Sequence, residues 1–198
     1  MTACVSSDVV FAQFDEWYAE ARACETLAYA NAMNLATVNS DGKPSSRMVL
    51  LKGRDDDGFM FYTNLHSRKS RQIKNNPYVA LCFYWDALGK QVRIEGMAEP
   101  TSDAASDAYF ATRPRESQLG AWASLQSEML ETRQNLKDAF ARVSEEYAGK
   151  DVPRPPHWGG WHVTPSLIEF WQEGAHRLHK RVVYSLTSEG WSKTLLNP

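Results

Sequence analysis

Basic side chains gather in two neighbouring stretches of the chain, where they could bind an anion. Arg47 and Lys52 flank the stretch RMVLLK, and Arg68 and Lys69 follow Ser67 at the start of a polar stretch. A phosphate is held by charge-assisted donors that converge from several elements, including arginine, lysine, hydroxyl groups and helix N-terminal amides. The pattern predicts an anion site, although SRKSRQIK also fits a solvated helix face.

The spacing of Arg47 and Lys52 bears on how many anions are bound. In a regular strand these two residues have opposite parity, so their side chains should point to opposite faces. One phosphate held by both would require a β-bulge. Two separate phosphates are the simpler prediction.

A second cluster lies in YFATRPRES, where Tyr109, Arg113 and Ser117 recur every four residues. They would share one face of a continuous helix, but Pro114 interrupts it. A turn after Arg113 would still gather the three groups around an anion. The alternative interpretation is a helix end with a capping arginine.

A third cluster lies in FWQEGAHRLHKR, which carries Trp171, Arg177, His179 and Arg181. Strand alternation would place the last three on one side of a strand, where a guanidinium and an imidazole could meet a flat aromatic ligand. Trp171 also fits a core position. We predict no metal here, because His176 and His179 have no third ligand at a fitting spacing.

Hydrophobic periodicity predicts the elements in the first half of the chain. A helical stripe of Val10, Phe14, Trp17, Tyr18 and Ala21 indicates an N-terminal helix with Asp8 as its cap. The stretches AMNLATVN and SSRMVLLK predict a hairpin, and FMFYTN a further strand. We expect a short helix in SRKSRQIKNNP, a strand covered on both faces in YVALCFYW, and a strand with one wet face in QVRIEGMAEP.

The second half predicts helices and then strands. Helical stretches are TSDAASDAYFATRP, RESQLGAWAS and ETRQNLKDAFARVSEEY, and a proline-rich connector follows them. The C-terminal strands are predicted in WHVTPSLIEFWQ, HKRVVYSL and GWSKTLL. Strands at both ends of the chain with helices between them favour an antiparallel barrel with helices packed outside, rather than alternating βαβ units.

Composition narrows the classes of function. With 198 residues, 43% hydrophobic and 23% charged positions, we expect a single domain over residues 1–198. A net charge of -2 makes nucleic acid a poor default partner. Three cysteines without a C-x-x-C pair favour a reducing cytoplasm over a disulfide framework. We expect neither a secretion signal nor a membrane span.

These stretches together resemble the pyridoxamine 5'-phosphate oxidase family. From about residue 30 to the C-terminus, the motifs in the family's order are ANAMNLATV, RMVLLKG, FYTNLHSRKSRQI, FYWDALGKQVRIEG, SDAYFATRPRESQLGAWAS, LQS, RPPHWGGW, IEFWQ and RLH, after a helical segment over residues 1–29. Many short motifs in one order are more specific than any single one. The resemblance implies a homodimeric FMN-binding split barrel, which is a mainly β, Greek-key-like antiparallel barrel surrounded by helices, with FMN in clefts between the subunits.

The resemblance also implies site residues, motif by motif. The implied FMN contacts are Arg47, Met48, Val49, Leu50, Leu51, Lys52, Tyr62, Thr63, Arg68, Lys69, Gln91, Gln126, Ser127, Trp171 and Arg181. The implied substrate contacts are Lys52, Tyr109, Arg113 and Ser117 at the substrate phosphate, and Arg177, Leu178 and His179 beside its pyridine ring. Arg47, Arg68, Lys69 and Ser127 suit the FMN phosphate, whereas Gln91, Trp171 and Arg181 suit the ring system. Two phosphates then account for the parity of Arg47 and Lys52.

The implied reaction oxidises pyridoxamine or pyridoxine 5'-phosphate to pyridoxal 5'-phosphate. A hydride passes from the substrate C4' to the flavin N5, water opens the imine of the amine substrate and releases ammonia, and dioxygen reoxidises the flavin to give hydrogen peroxide. The flavin carries the redox chemistry and the protein supplies orientation and electrostatics. Arg177 and His179 are the implied catalytic residues at the substrate ring, and Arg181 would stabilise the reduced flavin.

The third cluster departs from the family pattern, which usually reads W-Q-G and then R-L-H-D-R. Here Glu173 precedes Gly174, His176 precedes Arg177, and Lys180 replaces the aspartate. Lys180 adds positive charge beside a basic pair, so we hypothesise an altered substrate preference or rate. Unchanged steady-state kinetics in Lys180→Asp would contradict this.

Two other functions stay open at this point. A related flavin oxidase of the phenazine-biosynthesis type resembles this family in fold but generally lacks the full set of substrate-phosphate residues. A non-catalytic module that holds FMN or pyridoxal phosphate is the other alternative, and the segment around Lys180 is its only support. Peroxide production distinguishes an oxidase from a binding module.

Overall fold

A computed structural model describes residues 4–198 as five helices and ten strands. The helices are α1 (Ser7–Ala23), α2 (Arg68–Asn75), α3 (Asp103–Ala111), α4 (Arg115–Ala123) and α5 (Arg133–Glu146). The strands are β1 (Cys4–Val5), β2 (Ala32–Val38), β3 (Pro44–Leu50), β4 (Gly53–Arg54), β5 (Phe59–Asn64), β6 (Tyr78–Trp85), β7 (Lys90–Pro100), β8 (Trp158–Gln172), β9 (Lys180–Thr187) and β10 (Gly190–Leu196). None of the described helices is both long and apolar enough to cross a membrane.

Antiparallel pairing joins the strands into one sheet in the order β1-β10-β9-β8-β7-β6-β2-β3. The long strand β8 pairs with β7 on one edge, while its other edge pairs first with β5 and then with β9. The sheet curls round until the chain just after β3 meets β5, where the Lys52 backbone N–H donates to the Met60 carbonyl at 2.8 Å. This closure produces the predicted barrel and places the end of β3 next to β5.

The helix α1 packs on the barrel with the predicted apolar stripe. Val10, Phe14, Trp17 and Ala21 are buried, and Phe14 contacts the rings of Phe59 and Phe83 in the core. The helix begins at Ser7, so the predicted cap was wrong. Asp8 lies inside the first turn, where its carboxylate faces the positive end of the helix dipole.

The three middle helices form a smaller cluster beside the barrel. Phe110 of α3 and Leu119 of α4 are buried against Trp158 at the start of β8 and Val152 of the proline-rich connector. The helix α5 covers this cluster without burying any residue completely. The predicted helices are confirmed, and their packing brings α3 and α4 to the barrel end that carries β5.

The strand β6 differs from the prediction of two covered faces. Its residues alternate in burial, and Tyr78 and Tyr84 are 69% and 62% exposed. The inner face packs in the core, whereas the outer face is left uncovered by the rest of the single chain. Met48 and Leu50 of β3 and Met97 of β7 add apolar side chains to this uncovered face. The predicted alternation of β7 is confirmed.

Gly96 lies at a β-bulge in the pairing of β7 with β8, and a Cβ there would lie 2.2 Å from the Thr164 carbonyl oxygen. We expect Gly96→Ala to lower the free energy of unfolding by about 1–3 kcal/mol, because backbone must move to admit the methyl group. Urea denaturation measures the change. Gly120→Ala is the matched control, since Gly120 lies within α4 with nothing within 4 Å of the added Cβ. Equal midpoints for both variants would contradict the expectation.

Candidate active site

A cleft of about 770 Å³ opens between the end of β3, β5 and the α3–α4 turn. It is lined by Met48, Val49, Leu50, Lys52, Tyr62, Thr63, Asn64, Lys69, Tyr109, Thr112, Arg113, Pro114, Ser117, Gly120, Ala121, Ser124, Gln126 and Trp158. Eleven of the implied site residues therefore line one cleft of a single chain: Met48, Val49, Leu50, Lys52, Tyr62, Thr63, Lys69, Tyr109, Arg113, Ser117 and Gln126.

Lys69 provides a buried positive charge in the cleft wall. Its Nζ donates to Gln126 Oε1 at 2.7 Å and to Ser67 Oγ at 3.0 Å. No carboxylate of residues 4–198 forms an ion pair with it. Burial, and then the charge of Arg47, lowers the pKa of Lys69 to about 8. A buried ammonium among neutral oxygens is suited to an anion, so the interpretation of SRKSRQIK as a merely solvated face is wrong for Lys69.

Arg47 lies behind this wall in a network of hydrogen bonds. Its Nη1 donates to the Leu35 carbonyl and to Thr37 Oγ1, and its Nη2 donates to Ser45 Oγ and Gln72 Oε1. Burial, and then the charge of Arg68, lowers the pKa of Arg47. The positive charges of Arg47, Arg68 and Lys69 therefore concentrate at one end of the cleft, although only Lys69 lines it.

The strand β3 ends at Leu50, which corrects the parity argument for Lys52. Arg47 and Val49 face inward and Met48 and Leu50 face outward, but Lys52 lies beyond the last strand residue. Its position follows from the turn toward β5, where its Nζ lies 5.9 Å from the ring centroid of Tyr109. Lys52 thus lies near Tyr109 and takes no part in the Arg47 network, which fits two separate anion sites.

The second cluster, Tyr109, Arg113 and Ser117, comes together through a turn after Arg113, as one of the two interpretations of the sequence required. The helix α3 ends at Ala111 and α4 begins at Arg115, and the turn between them brings Tyr109, Arg113 and Ser117 to the same cleft. The side chain of Arg113 makes no hydrogen bond to a helix carbonyl in the described chain, so the capping interpretation was wrong. Thr112 occupies the C-cap position instead.

Arg113 carries an uncompensated charge. Its Nη1 is buried without a hydrogen-bond partner within residues 4–198, and its guanidinium carbon lies 4.7 Å from the Trp158 ring centroid. Burial lowers the pKa of Arg113. A half-buried guanidinium whose buried Nη1 has no partner is costly unless an anion completes it. The donor set of Arg113, Lys52, Tyr109 and Ser117 fits a phosphate.

An aromatic stack that the sequence analysis did not assign forms the floor of the cleft. The rings of Tyr62 and Tyr109 stack with centroids 4.2 Å apart, and Trp158 lies parallel to Tyr62 at 5.5 Å. Asn64, Thr112, Pro114, Gly120, Ala121, Ser124 and Trp158 also line the cleft and were missed as site residues. The pair Gly159-Gly160 was an available signal, because a Cβ on Gly160 would lie 2.6 Å from Tyr62 and from Thr101.

The third cluster lies elsewhere on the chain. Gln91, Trp171 and Arg181 are direct neighbours across β7, β8 and β9, on the uncovered outer face. None of them lines the cleft of the same chain. Leu51, Arg68 and Ser127 lie outside the cleft lining as well.

The predicted alternation of Arg177, His179 and Arg181 was wrong, because β9 begins only at Lys180. Residues Ala175–Arg177 form a 3-10 turn in which His176 and Arg177 have φ angles of 56° and 64°. Two consecutive left-handed residues that are not glycine store backbone strain, as functional segments often do.

The turn nevertheless fixes the ring of His179. The backbone N–H of Gly174 donates to His179 Nδ1 at 3.3 Å, and the ring centroid lies 4.7 Å from that of Trp171. Nδ1 is thereby the acceptor, which leaves Nε2 to face a ligand. Leu178 is 72% exposed and Lys180 is exposed beside it. No group of three potential metal ligands occurs in the part of the chain that the structure describes.

Two family models match most of the chain. The model described as pyridoxamine 5'-phosphate oxidase matches residues 19–147. The model described as the pyridoxine 5'-phosphate oxidase C-terminal dimerisation region matches residues 158–198. The second match covers β8, β9 and β10 and supports a homodimer.

Curated relatives and solved structures agree with these matches. Pyridoxine/pyridoxamine 5'-phosphate oxidase of Sphingopyxis alaskensis is 56% identical over 198 residues, covering 100% of this chain and 91% of that protein. The enzyme of the same name from Rubrobacter xylanophilus is 54% identical, covering 94% and 85%. PhzG of Burkholderia lata, solved with tetrahydrophenazine-1-carboxylic acid, has a TM-score of 0.88 at 31% identity, covering 95% and 92%. The chain therefore belongs to the pyridoxamine 5'-phosphate oxidase family, a family of FMN-dependent oxidoreductases.

Proposed function

We propose that this enzyme oxidises pyridoxamine or pyridoxine 5'-phosphate to pyridoxal 5'-phosphate with dioxygen as the acceptor, releasing hydrogen peroxide and, from the amine, ammonia. The observation that carries the proposal is the cleft in which Lys52, Tyr109, Arg113 and Ser117 surround one space while Arg113 has no anionic partner. A substrate phosphate would supply the missing charge. The relatives named for this activity are 54–56% identical over nearly the whole chain.

The cofactor FMN fits the other end of the cleft. Lys69 and Gln126 line it, Arg47 and Arg68 add positive charge behind it, and no carboxylate opposes them in the described residues. These residues would hold the FMN phosphate, with Ser127 as an additional hydroxyl. The backbone from Met48 to Lys52 and the side chains of Tyr62 and Thr63 would lie along the cofactor. When bound, FMN supplies the electron acceptor for oxidation of the substrate.

The remaining site residues would come from the partner subunit of a homodimer. Gln91, Trp171 and Arg181 would face the flavin ring system, and Arg177, Leu178 and His179 the substrate ring. The division supports this, because these six residues lie outside the cleft of their own chain and on or beside the uncovered apolar face. Burial of that face in a dimer would stabilise the assembly.

The side chains then have separate tasks. Lys52 and Arg113 bind the substrate phosphate and fix the distance of the pyridine ring from that end. Arg177 covers the ring and orients C4', and His179, held by Gly174 and Trp171, contacts the pyridine substituents through Nε2. Closure of the cleft by the partner excludes water and strengthens these charged contacts.

We also propose a single catalytic domain over residues 1–198 in the cytoplasm, supported by the continuous sheet and three free cysteines.

A phenazine-type oxidase is the second candidate, because PhzG of Burkholderia lata shares the fold at a TM-score of 0.88. The identity favours the first function, since it is 31% to PhzG and 56% to the pyridoxine/pyridoxamine 5'-phosphate oxidase of Sphingopyxis alaskensis. The full set of phosphate-binding side chains points the same way.

Turnover in air tests the proposal. The purified protein should show a flavin spectrum, and added pyridoxine 5'-phosphate should give equal amounts of peroxide and aldehyde. Flavin without turnover on either substrate would overturn the oxidase function. Turnover of a phosphate-free aromatic acid alone would favour the second candidate.

FMN retention should fall as the pH rises from 7 to 9. The charged form of Lys69 binds the FMN phosphate and the neutral form does not, and the pKa of Lys69 is about 8 before the phosphate binds. Bound phosphate raises this pKa, so the affinity for FMN should fall as the pH rises from about 8, the pKa without phosphate, toward the raised value. Most of the loss of affinity should therefore come in the upper half of the range. Dilution of the holoenzyme, followed by FMN fluorescence, should show a dissociation constant about tenfold higher at pH 9.

Two variants isolate the contribution of Lys69 to this pH effect. Lys69→Met should release FMN more readily at pH 7 and lose the pH dependence. Lys74→Met, an exposed lysine on the same helix, should behave like the wild type. A pH dependence that survives in Lys69→Met would assign the effect to another group.

A further inference from the structure

A buried carboxylate joins two arginines on the outer face of the sheet. Glu169 is only 4% exposed, and its Oε1 accepts a hydrogen bond from Arg181 Nε at 2.6 Å while its Oε2 accepts one from Arg93 Nη1 at 3.0 Å. Arg93 also pairs with the exposed Glu95 at 3.3 Å. A buried charge of this kind is retained only when its partners compensate the loss of water.

The position of Glu169 connects it to the residues expected at the flavin ring. Glu169 lies two residues before Trp171 on β8 and therefore on the same face of the sheet. Trp171 is the cross-strand neighbour of both Gln91 and Arg181. The Glu169 carboxylate therefore lies on the same face of the sheet as Gln91, Trp171 and Arg181, and is offset from them by two residues along β8.

The hydrogen bonds of Arg181 show what Glu169 does to it. The Arg181 Nε donates a hydrogen bond to Glu169, and its Nη1 donates one to the Asn197 carbonyl at 3.2 Å. In the described chain no protein group accepts a hydrogen bond from Nη2. The guanidinium is a rigid plane, so holding Nε and Nη1 fixes the direction in which Nη2 donates.

We infer that Glu169 is a positioning residue for the cofactor: it orients the Arg181 guanidinium toward the FMN ring system and neutralises the second charge that Arg93 brings to the same place. Glu169 does not touch the cofactor. This inference rests on the proposed placement of FMN at the subunit boundary.

Removing the charge of Glu169 should weaken FMN binding through Arg181. In Glu169→Gln, Arg93 and Arg181 repel each other without a shared anion, and the guanidinium loses its fixed direction. Dilution of the holoenzyme, followed by the rise of FMN fluorescence, should show a dissociation constant about tenfold above wild type. The matched control is Glu95→Gln, which removes the exposed carboxylate from the same Arg93 and should leave FMN affinity within about twofold.

A double-substitution cycle separates positioning from a general loss of structure. Arg181→Gln should weaken FMN binding, and Glu169→Gln added to it should cause no further weakening, because Glu169 acts through Arg181. Equal weakening by Glu169→Gln in both backgrounds would overturn the inference. If Glu169→Gln fails to fold, Glu169→Asp retains the charge with a shorter reach, and an unchanged FMN affinity in that variant would also overturn it.

The wild type serves to separate the two claims. A wild-type protein that retains no FMN would refute the proposed function and this inference with it. Wild type and Glu95→Gln that retain FMN, together with a Glu169→Gln variant of equal affinity, would refute this inference alone.

Discussion

Replacing Arg113 with alanine should lower kcat/KM for pyridoxine 5'-phosphate by about 100- to 1000-fold, chiefly by raising KM. Truncating one member of a buried charged pair costs roughly 3–4 kcal/mol, which corresponds to this range. The substrate phosphate takes no part in the bond changes at C4', so its contact with Arg113 persists almost unchanged from the bound substrate to the transition state, and kcat should fall less. Steady-state kinetics at saturating dioxygen measure both constants.

Arg115 supplies the matched control for this substitution. It is two residues away, is exposed, and its guanidinium donates hydrogen bonds to the carbonyls of Tyr147 and Lys150. Arg115→Ala should leave kcat/KM within about twofold, although it removes a contact between α4 and the end of α5. If Arg115→Ala lowers kcat/KM as much as Arg113→Ala does, the loss reflects the stability of the helical cluster and not phosphate binding.

Local patterns in the sequence predicted most of the elements because each buries one apolar face. The stripe from Val10 to Ala21 determines α1, and the alternation of QVRIEGMAEP determines β7. The same rule failed for β6, where Tyr78 and Tyr84 made an apolar run look buried on both sides. A single chain leaves these tyrosines exposed, and one sequence read alone does not distinguish a core face from a face that a second subunit covers.

The site was predictable in part for the same physical reason. Arg113 and Ser117 are close in sequence, so a single turn at Pro114 brings them together. Trp158 lies about 45 residues from Arg113, and no local periodicity of the sequence predicts the contact of its indole with the guanidinium. The turn of Arg177 could not be anticipated from alternation, since positive φ angles at two residues that are not glycine follow from the surrounding structure and not from propensity.

Two inactive variants should restore activity to each other when they share a dimer. Arg113 lines the cleft of its own chain, whereas Arg177 lies outside it and would serve the partner's cleft. In a heterodimer of Arg113→Ala and Arg177→Ala, both substitutions fall in one site and the other site is intact. Such heterodimers, isolated through two different affinity tags, should have about half the wild-type kcat/KM per dimer, with each parent below roughly a hundredth of it.

The pairing of Arg113→Ala with Lys52→Ala is the control for this experiment. Both residues line the same cleft, so each site of that heterodimer carries one substitution and neither is intact. Activity should stay at the level of the parents. Restoration in the first heterodimer but not in the second requires that the cleft and the 175–179 turn belong to different chains in each site. Restoration in neither would place the Arg177 turn over the cleft of its own chain and would require a movement of that turn relative to β8.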